Sequence, residues 1–504
     1  MPLWQSSRMA RPSTDSVLTF IRRGSERDPF RRLLLRALLR AKRRKQHRAR
    51  SLPSDAGTAE RLNHKRNASN QAQKLRRKVM GSSRPPLPLE QLTFRYGDHA
   101  VIQSLHPMRR RQWKPIPARN RSSQGLVVNI PRLSFLDDPE KTFECIQKII
   151  QVETSSLSVR VNFQFQYVED IGPFLLLAEI WPYFAPVFTG GGTMRPSVQK
   201  VIAAVGLQHS LSMHFPGLSD LQDVWAMPVQ KRRPTGRSRS TDRYLEPQSS
   251  EMAADRLCKE IDRWFLQSES GVELNDAGRQ HIGQVVTEIL DNAERHSSYA
   301  DKDGCWTTAA FMAKREVDGH LCFVCHIAFL SIGDTIAESL MATAPDSLKN
   351  QLSELVEDLS SAGATQSEET LLTFAAIQDG VTRDPAAFAR KSGGYGFMDF
   401  VDSVNVLGLS RRADGGVRMT IISGQSCIML KAPYVRGTPL ADGTRRRLYF
   451  NPSNNPAVPP DAQFVKDLPY RLPGTVISAA FTLDPDLYRT IFDDDDPTSR
   501  SDEA

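Results

Sequence analysis

Cysteine is scarce. Six are spread over 504 residues, at Cys145, Cys258, Cys305, Cys322, Cys325 and Cys427. That spread excludes a small scaffold stapled by disulfides, and reduced thiols in a cytoplasmic protein are expected. Cys322 and Cys325 form a lone C-x-x-C inside an apolar run. A strand would put their thiols on opposite faces, so they read as buried structural cysteines rather than a metal or redox pair. Long hydrophobic runs are also lacking. The best, Ile171 to Phe188, is broken by Glu179 and by Pro173, Pro182 and Pro186, whereas a membrane span needs about 20 mostly apolar residues. Met1 to Phe20 has no basic region followed by an apolar core, so no signal peptide is expected. Aromatics make up only 8% of the chain, but the hydrophobic fraction of 40% is enough for a sizeable core and excludes a wholly disordered chain. No internal repeat is present.

Charge is abundant and unevenly placed. The formal net charge of +9 conceals a gradient: residues 1–120 hold 29 Lys and Arg against 7 Asp and Glu, a net +22, and the remainder is net −13. The stretch Phe30 to Lys45 is helix-favouring and strongly basic, with Leu33, Leu34, Leu38 and Leu39 on one stripe. Further basic clusters are Lys74 to Lys78 and Arg109 to Arg111. Such segments suit phosphate backbones, where each cation releases condensed counterions. They also suit anionic lipid surfaces, and a solvated, solubilising tail is the third reading. Nucleic acid is the favoured partner of this arm. Aromatics for base stacking are sparse in it, so sequence-specific single-strand readout is not supported.

The length suggests two or three domains at roughly 100–200 residues each. Residues 1–118 read as a basic arm of low order and 119–226 as a small α/β module. Residues 227–250 read as a basic, turn-rich linker, 251–488 as a second α/β region and 489–504 as an acidic tail. In the first module, Gly125–Ile130 and Val159–Phe165 read as strands, the second with clean alternation. Lys141–Val152, Ile171–Tyr183 and Pro196–Val205 read as helices, and the alternation implies an α/β layer structure. The order of strand, acidic turn (Glu169-Asp170), apolar helix and a short helix before Val205-Gly206-Leu207 resembles the STAS domain of anti-anti-sigma factors. The resemblance is loose and covers about 100 residues. Regulatory STAS domains usually open that helix with a phosphorylatable hydroxyl. Here the stretch is Asp170-Ile171-Gly172-Pro173, so the resemblance implies a docking or packing module for a protein partner, without a phospho-switch.

The second region carries the chemistry. Met252–Leu266 is an amphipathic helix with Ala253, Leu257, Ile261 and Phe265 at four-residue spacing. The next segment begins at Asp276 and places Ile282, Val285, Ile289 and Ala293 on one stripe. Glu288, Asn292 and His296 follow each other at intervals of four and share another face. An Asn oxygen can ligate Mg²⁺, and a Glu one turn earlier can orient or deprotonate a water. The run Glu288-Ile-Leu-Asp-Asn292-Ala-Glu-Arg-His296-Ser297 resembles the asparagine box of the GHKL superfamily, the Bergerat-fold ATP-binding domains of gyrase, heat-shock chaperones and histidine kinases. Three more boxes follow in the family's order. Ser331-Ile-Gly333-Asp334-Thr335-Ile336 sits where the family has D-x-G-x-G-I: Gly333 and Ile336 match, Ser331 replaces the adenine-reading Asp, and Thr335 replaces the second Gly. Gly393, Gly394 and Gly396 resemble the second glycine box, at the end of a flexible lid expected over 341–392, where backbone N–H groups could approach phosphates. Gly474-Thr475 resembles the terminal strand whose Thr frames the adenine pocket.

The resemblance implies an α/β (α+β sandwich) ATPase domain with ATP and Mg²⁺ as cofactors and Glu288 as the catalytic residue. Asn292 would be the metal ligand, and Asn292, Ser331, Gly333, Thr335, Gly393, Gly394, Gly396 and Thr475 would bind the nucleotide. His296 also reads as helix-end packing. The function expected is a regulatory, Mg·ATP-dependent conformational switch, with a homodimer left open. Two alternatives stand beside it: an anti-sigma-type protein Ser/Thr kinase, and a nucleic-acid-binding scaffold with a degenerate ATPase fold. No dimerisation helix bearing a substrate histidine precedes the region, which argues against a histidine kinase.

Overall fold

A computed structural model describes residues 99–108, 126–155, 159–184, 191–211, 213–215, 218, 220–232, 249–268, 273–297, 304–317, 320–381, 396–408, 416–439 and 446–487. The basic clusters before residue 99, Arg109 to Arg111, most of the linker and the acidic tail lie outside them. The described residues form a mixed α/β architecture, and none of their helices is long and apolar enough to cross a membrane.

The first sheet is parallel, with β1 (Leu126–Ile130), β2 (Val159–Phe163) and β3 (Gly191–Thr193) in that order. Its crossovers are α2 (Pro139–Ser155) and α3 (Gly172–Phe184), and α4 (Pro196–Ala204) follows β3. α1 (Ala100–Leu105) precedes the sheet and buries Val101, Ile102 and Leu105. It falls inside the segment 1–118 expected to be a low-order arm, because three apolar residues in one short turn are enough to seat it on the core.

The second sheet is antiparallel and has the order β4–β5–β6–β10–β7. Its strands are β4 (Val224–Lys231), β5 (Trp306–Val317), β6 (His320–Ile332), β7 (Arg418–Leu430) and β10 (Val465–Leu483). A two-stranded ribbon, β8 (Thr438–Pro439) with β9 (Arg446–Arg447), lies between β7 and β10 in sequence. The module boundary expected at 226/227 falls within β4, so residues read as linker belong to this sheet. β4 is an edge strand with Pro228 at a register irregularity, where a missing N–H costs no ladder bond.

The long strands are apolar on both faces, and both faces are covered. Ala309, Phe311, Ala328, Leu330, Leu472 and Val476 face the first module and share one core with Val128, Ile130, Val161, Phe163 and α3. This explains why α3 is apolar nearly all round: Phe174, Leu175, Leu176, Leu177 and Ile180 are all buried between two sheets. The other face carries Ala310, Met312, Phe323, Cys325, Ile327, Phe329, Ala479 and Phe481. It packs against α5 (Ser250–Gln267), α6 (Asp276–His296) and α10 (Gly396–Leu407). Cys322 and Cys325 are both buried thiols outside any disulfide.

Polar contacts fix the first module on the sheet. Arg418 pairs with Asp137 at 2.5 Å, Lys466 with Glu140 at 2.9 Å, and Lys231 with Glu179. Arg315 donates to the Val168 carbonyl at 2.8 Å and lies 4.2 Å from the Tyr167 ring centre. Asp170 is buried and accepts from the Phe135 and Gly172 amides at 2.7 and 2.8 Å. Burial pushes its carboxyl up to about 6, against the pull of those amides. A Cβ at Gly172 would lie 2.2 Å from Ser478 Oγ of β10, so the start of α3 abuts the back of the sheet closely.

Over its described residues the stretch 341–392, expected to be a flexible lid, is built of packed helices. Most of that stretch is helical: α7 (Ile336–Thr343), α8 (Asp346–Ser361) and α9 (Glu368–Ala376) share a core of Leu340, Leu348, Leu352, Leu372 and Ala375. Residues 382–395 lie outside the described residues.

Candidate functional site

α6 starts at Asn275, whose side chain accepts from the Gly278 amide at 2.7 Å and so satisfies one of the free N–H groups of the first turn. Val285, Ile289 and Leu290 hold the helix on the sheet, and this orientation leaves Glu288 and Asn292 at the edge of the packed face. Asn292 Nδ2 donates to Glu288 Oε1 at 3.0 Å, which fixes the carboxamide and turns Oδ1 to the other side. Oδ1 meets Arg295 Nη2 at 3.5 Å, and Arg295 lies 3.8 Å from Glu288 Oε2. The side chains of Glu288 and Arg295 are about half exposed, at 46% and 49%.

Below them is a cavity of about 230 Å³ between α6 and the sheet. Glu288, Asn292, Ser331, Thr335 and Thr475 all line it, together with Trp306, Phe329, Ile336, Phe397 and Ile477. The sheet supplies its floor through one row of side chains on the α6 face. In register, Trp306 of β5 stands opposite Ser331 of β6, Ser331 opposite Thr475 of β10, and Thr475 opposite Ser423 of β7. The Ser423 and Thr475 hydroxyls are 2.9 Å apart. Trp306 is buried and donates from Nε1 to Glu294 at 2.8 Å.

Gly333 and Thr335 have local roles. Gly333 has φ +151°, and a Cβ there would lie 1.8 Å from the Ser297 carbonyl oxygen at the end of α6. The Asp334 amide donates to that same oxygen at 3.0 Å, so the turn after β6 is closed onto the end of α6. Thr335 is the N-cap of α7 in a full capping box with Glu338 and donates to Glu369 at 3.3 Å. Its hydroxyl is therefore spent on the helix start, while the residue still walls the cavity. Gly396 opens α10, and a Cβ there would lie 2.5 Å from Glu288 Cγ, so α10 begins directly against the Glu288 stem. Gly393 and Gly394 lie outside the described residues, as does the side chain of His296.

The residues that sequence reasoning missed are Trp306, Ser423, Arg295 and Phe397. Ser423 carried only a weak signal, since it is one of three hydroxyls, with Thr420 and Ser426, in the strand segment Met419 to Leu430. The donor set is suited to a cation shared with a ligand rather than caged by protein. Among the described residues, no group of three or more His, Cys, Asp or Glu could hold a metal, and Mg²⁺ commonly takes only one or two protein oxygens beside phosphates. Comparison of the chain with protein-family models, with curated proteins and with solved structures gave no match.

Proposed function

We propose that this chain binds Mg·ATP in the cavity under α6 and works as a nucleotide-dependent conformational switch of the GHKL, Bergerat-fold type, with the first α/β module as a STAS-like docking element. One observation carries the reading: Glu288, Asn292, Ser331, Thr335 and Thr475, from separate segments of the chain, line a single cavity. The cavity is also graded as a nucleotide requires. Its sheet end is buried and apolar with hydroxyls, suited to a base, and its α6 end is polar and half exposed, suited to phosphates. Asn292 would supply an oxygen to Mg²⁺, and the bound ion would neutralise phosphate charge. Glu288 would orient or deprotonate the attacking water.

The protein-kinase alternative is disfavoured by placement. The Asp170–Pro173 turn, where a STAS phosphoacceptor would stand, is packed at Ser478 on the back of the sheet, while Thr475 and Ile477 of the same strand face the cavity. Thermal unfolding of the full chain with and without Mg·ATP tests the proposal. A ligand at about 100 times its Kd adds about 2.7 kcal/mol to the folded state, which raises Tm by several degrees. No shift at millimolar Mg·ATP would leave the region as a non-catalytic scaffold.

A further inference from the structure

β10 loses its match with β7 at one place. From Asp467 to Leu472 it runs five residues forward while β7 runs two, from Ser426 to Gly424, so the segment bulges out of the ladder. The bulged segment has two faces. Leu468, Tyr470 and Leu472 pack into the core shared with the first module, with the Tyr470 ring stacked 5.9 Å from that of Phe143 on α2. On that side the Arg471 carbonyl also accepts from the Ser104 hydroxyl of α1. The side chains of Asp467 and Arg471 turn the other way, to the starts of α9 and α7. Asp467 accepts from the amide of Ser367, the N-cap of α9, at 2.8 Å. Arg471 Nη2 donates to Glu369 Oε1 of α9 at 2.9 Å and to Glu338 Oε1 of α7 at 2.8 Å.

Those two carboxylates set one wall of the cavity. Glu338 accepts from the Thr335 amide at 2.8 Å, and Glu369 accepts from the Thr335 hydroxyl at 3.3 Å. Glu369 is seated on β7 as well. Its Oε2 accepts from the Gln425 amide at 3.3 Å, and a Cβ at Gly424, where φ is +62°, would lie 2.0 Å from its Oε1. Thr335 and Ile336, so held, line the cavity. Both carboxylates reach the same Nη2 and therefore stand close together. Like charges that close repel unless a cation lies between them. Arg471 is thus the group that lets Glu338 and Glu369 grip Thr335 at once, and its own main chain is gripped by the first module.

We infer that Arg471 is a positioning residue of the nucleotide site and that it links occupancy of the cavity to the seating of α1. A nucleotide against Thr335 and Ile336 fixes the start of α7. That fixes Glu338 and Glu369, then Arg471, then the carbonyl that holds Ser104. Linkage is reciprocal, so a seated α1 favours the nucleotide in return. α1 follows the basic arm in the sequence, and the path therefore ends where the arm begins. The inference rests on the nucleotide reading above.

The test is hydrogen exchange of the full chain, followed in peptides covering α1 with and without saturating Mg·ATP, with calorimetry to show whether the nucleotide is bound. The amides of Gln103 and His106 bond to the carbonyls of His99 and Ile102, so their exchange reports the opening of α1. In the native chain Mg·ATP should slow that exchange at least about five-fold, the lower end of common couplings between sites. Arg471→Met removes the cation and leaves both carboxylates their amide partners. It should bind Mg·ATP and lose the slowing at α1. Arg471→Lys should restore it, because a single nitrogen makes both contacts and an ammonium can stand in its place. Binding to the native chain with unchanged exchange at α1 overturns the inference and leaves the nucleotide reading intact. So does slowing that persists in Arg471→Met, or that is absent from Arg471→Lys. No binding of Mg·ATP to the native chain overturns both.

Discussion

Gly333 shows why a residue's position in a motif and its physical task must be argued separately. The resemblance of Ser331-Ile-Gly333 to a D-x-G box implies contact with a nucleotide, but the φ of +151° at Gly333 and the Ser297 carbonyl 1.8 Å from any added Cβ give it a packing task on the end of α6. Gly333→Ala should lower stability by about 1–3 kcal/mol through backbone strain and displacement of that contact. Urea denaturation measures this, and an unchanged midpoint would mean that the turn moves freely. Glu288 carries the reverse expectation. It is half exposed and bonded to Asn292, so Glu288→Gln should leave the fold and nucleotide binding in place. If Glu288 is the general base of the proposed hydrolysis, its loss should slow turnover roughly 10²–10⁴-fold. Turnover that persists in the variant would assign the base to another group. The pair was legible in the sequence because a four-residue interval on a helix guarantees a shared face. Ser423 and Trp306 were not, because their neighbours are set by strand register, and register appears only once β5, β6, β10 and β7 are assembled.

Elements with a clean apolar stripe or an all-apolar core face, such as α2, α3, α5 and α6, were readable to within a few residues. Those that failed did so for identifiable reasons. α8 and α9 lie in a stretch rich in Ser, Ala and Thr, a composition that reads as a mobile lid. In the folded chain the hydroxyls of α9 and its N-cap are partnered instead. Ser367 and Thr370 donate to Asp467 at 2.5 and 2.6 Å, and Ser426 donates to Thr373 at 3.1 Å. Such pairs satisfy polar groups that would otherwise oppose burial. A similar long-range tie places α10. Arg446 of β9 reaches Asp379, which follows α9, at 2.8 Å, and Asp399 of α10 at 2.5 Å, with Asp402 as a third partner. It therefore joins the two elements that contribute Ile377 and Phe397 to the cavity. Arg446→Met would strand the fully buried Asp379 without its counter-charge, at a cost of about 3–5 kcal/mol. Chemical denaturation reports this, and a loss below about 1 kcal/mol would show that the clasp is dispensable.

At the scale of the molecule, the first module sits on the back of the sheet whose front carries the cavity, so one set of strands joins the two. Glu179 of α3 marks that junction. Burial works to raise its carboxyl, but Lys231 of β4 and His99 overcome it and hold it down at about 2, against an ordinary 4.5. The ionised form is thus favoured in the folded state. Its contribution is present above pH 4.5 and is lost as pH falls from there toward 2. Glu179→Gln should remove about 1–3 kcal/mol at neutral pH and flatten the acid limb of the stability profile, and a variant whose profile parallels the native one would contradict the assignment. The central claim is that the cavity under α6 holds Mg·ATP through Asn292. Calorimetric titration of Mg·ATP into the native chain and into Asn292→Ala, both checked for native unfolding behaviour, tests it most directly. Saturable binding to the native chain, lost or strongly weakened in the variant and in the absence of Mg²⁺, is the predicted result. Equal Mg·ATP affinities in the two proteins, or no binding to either, would contradict it.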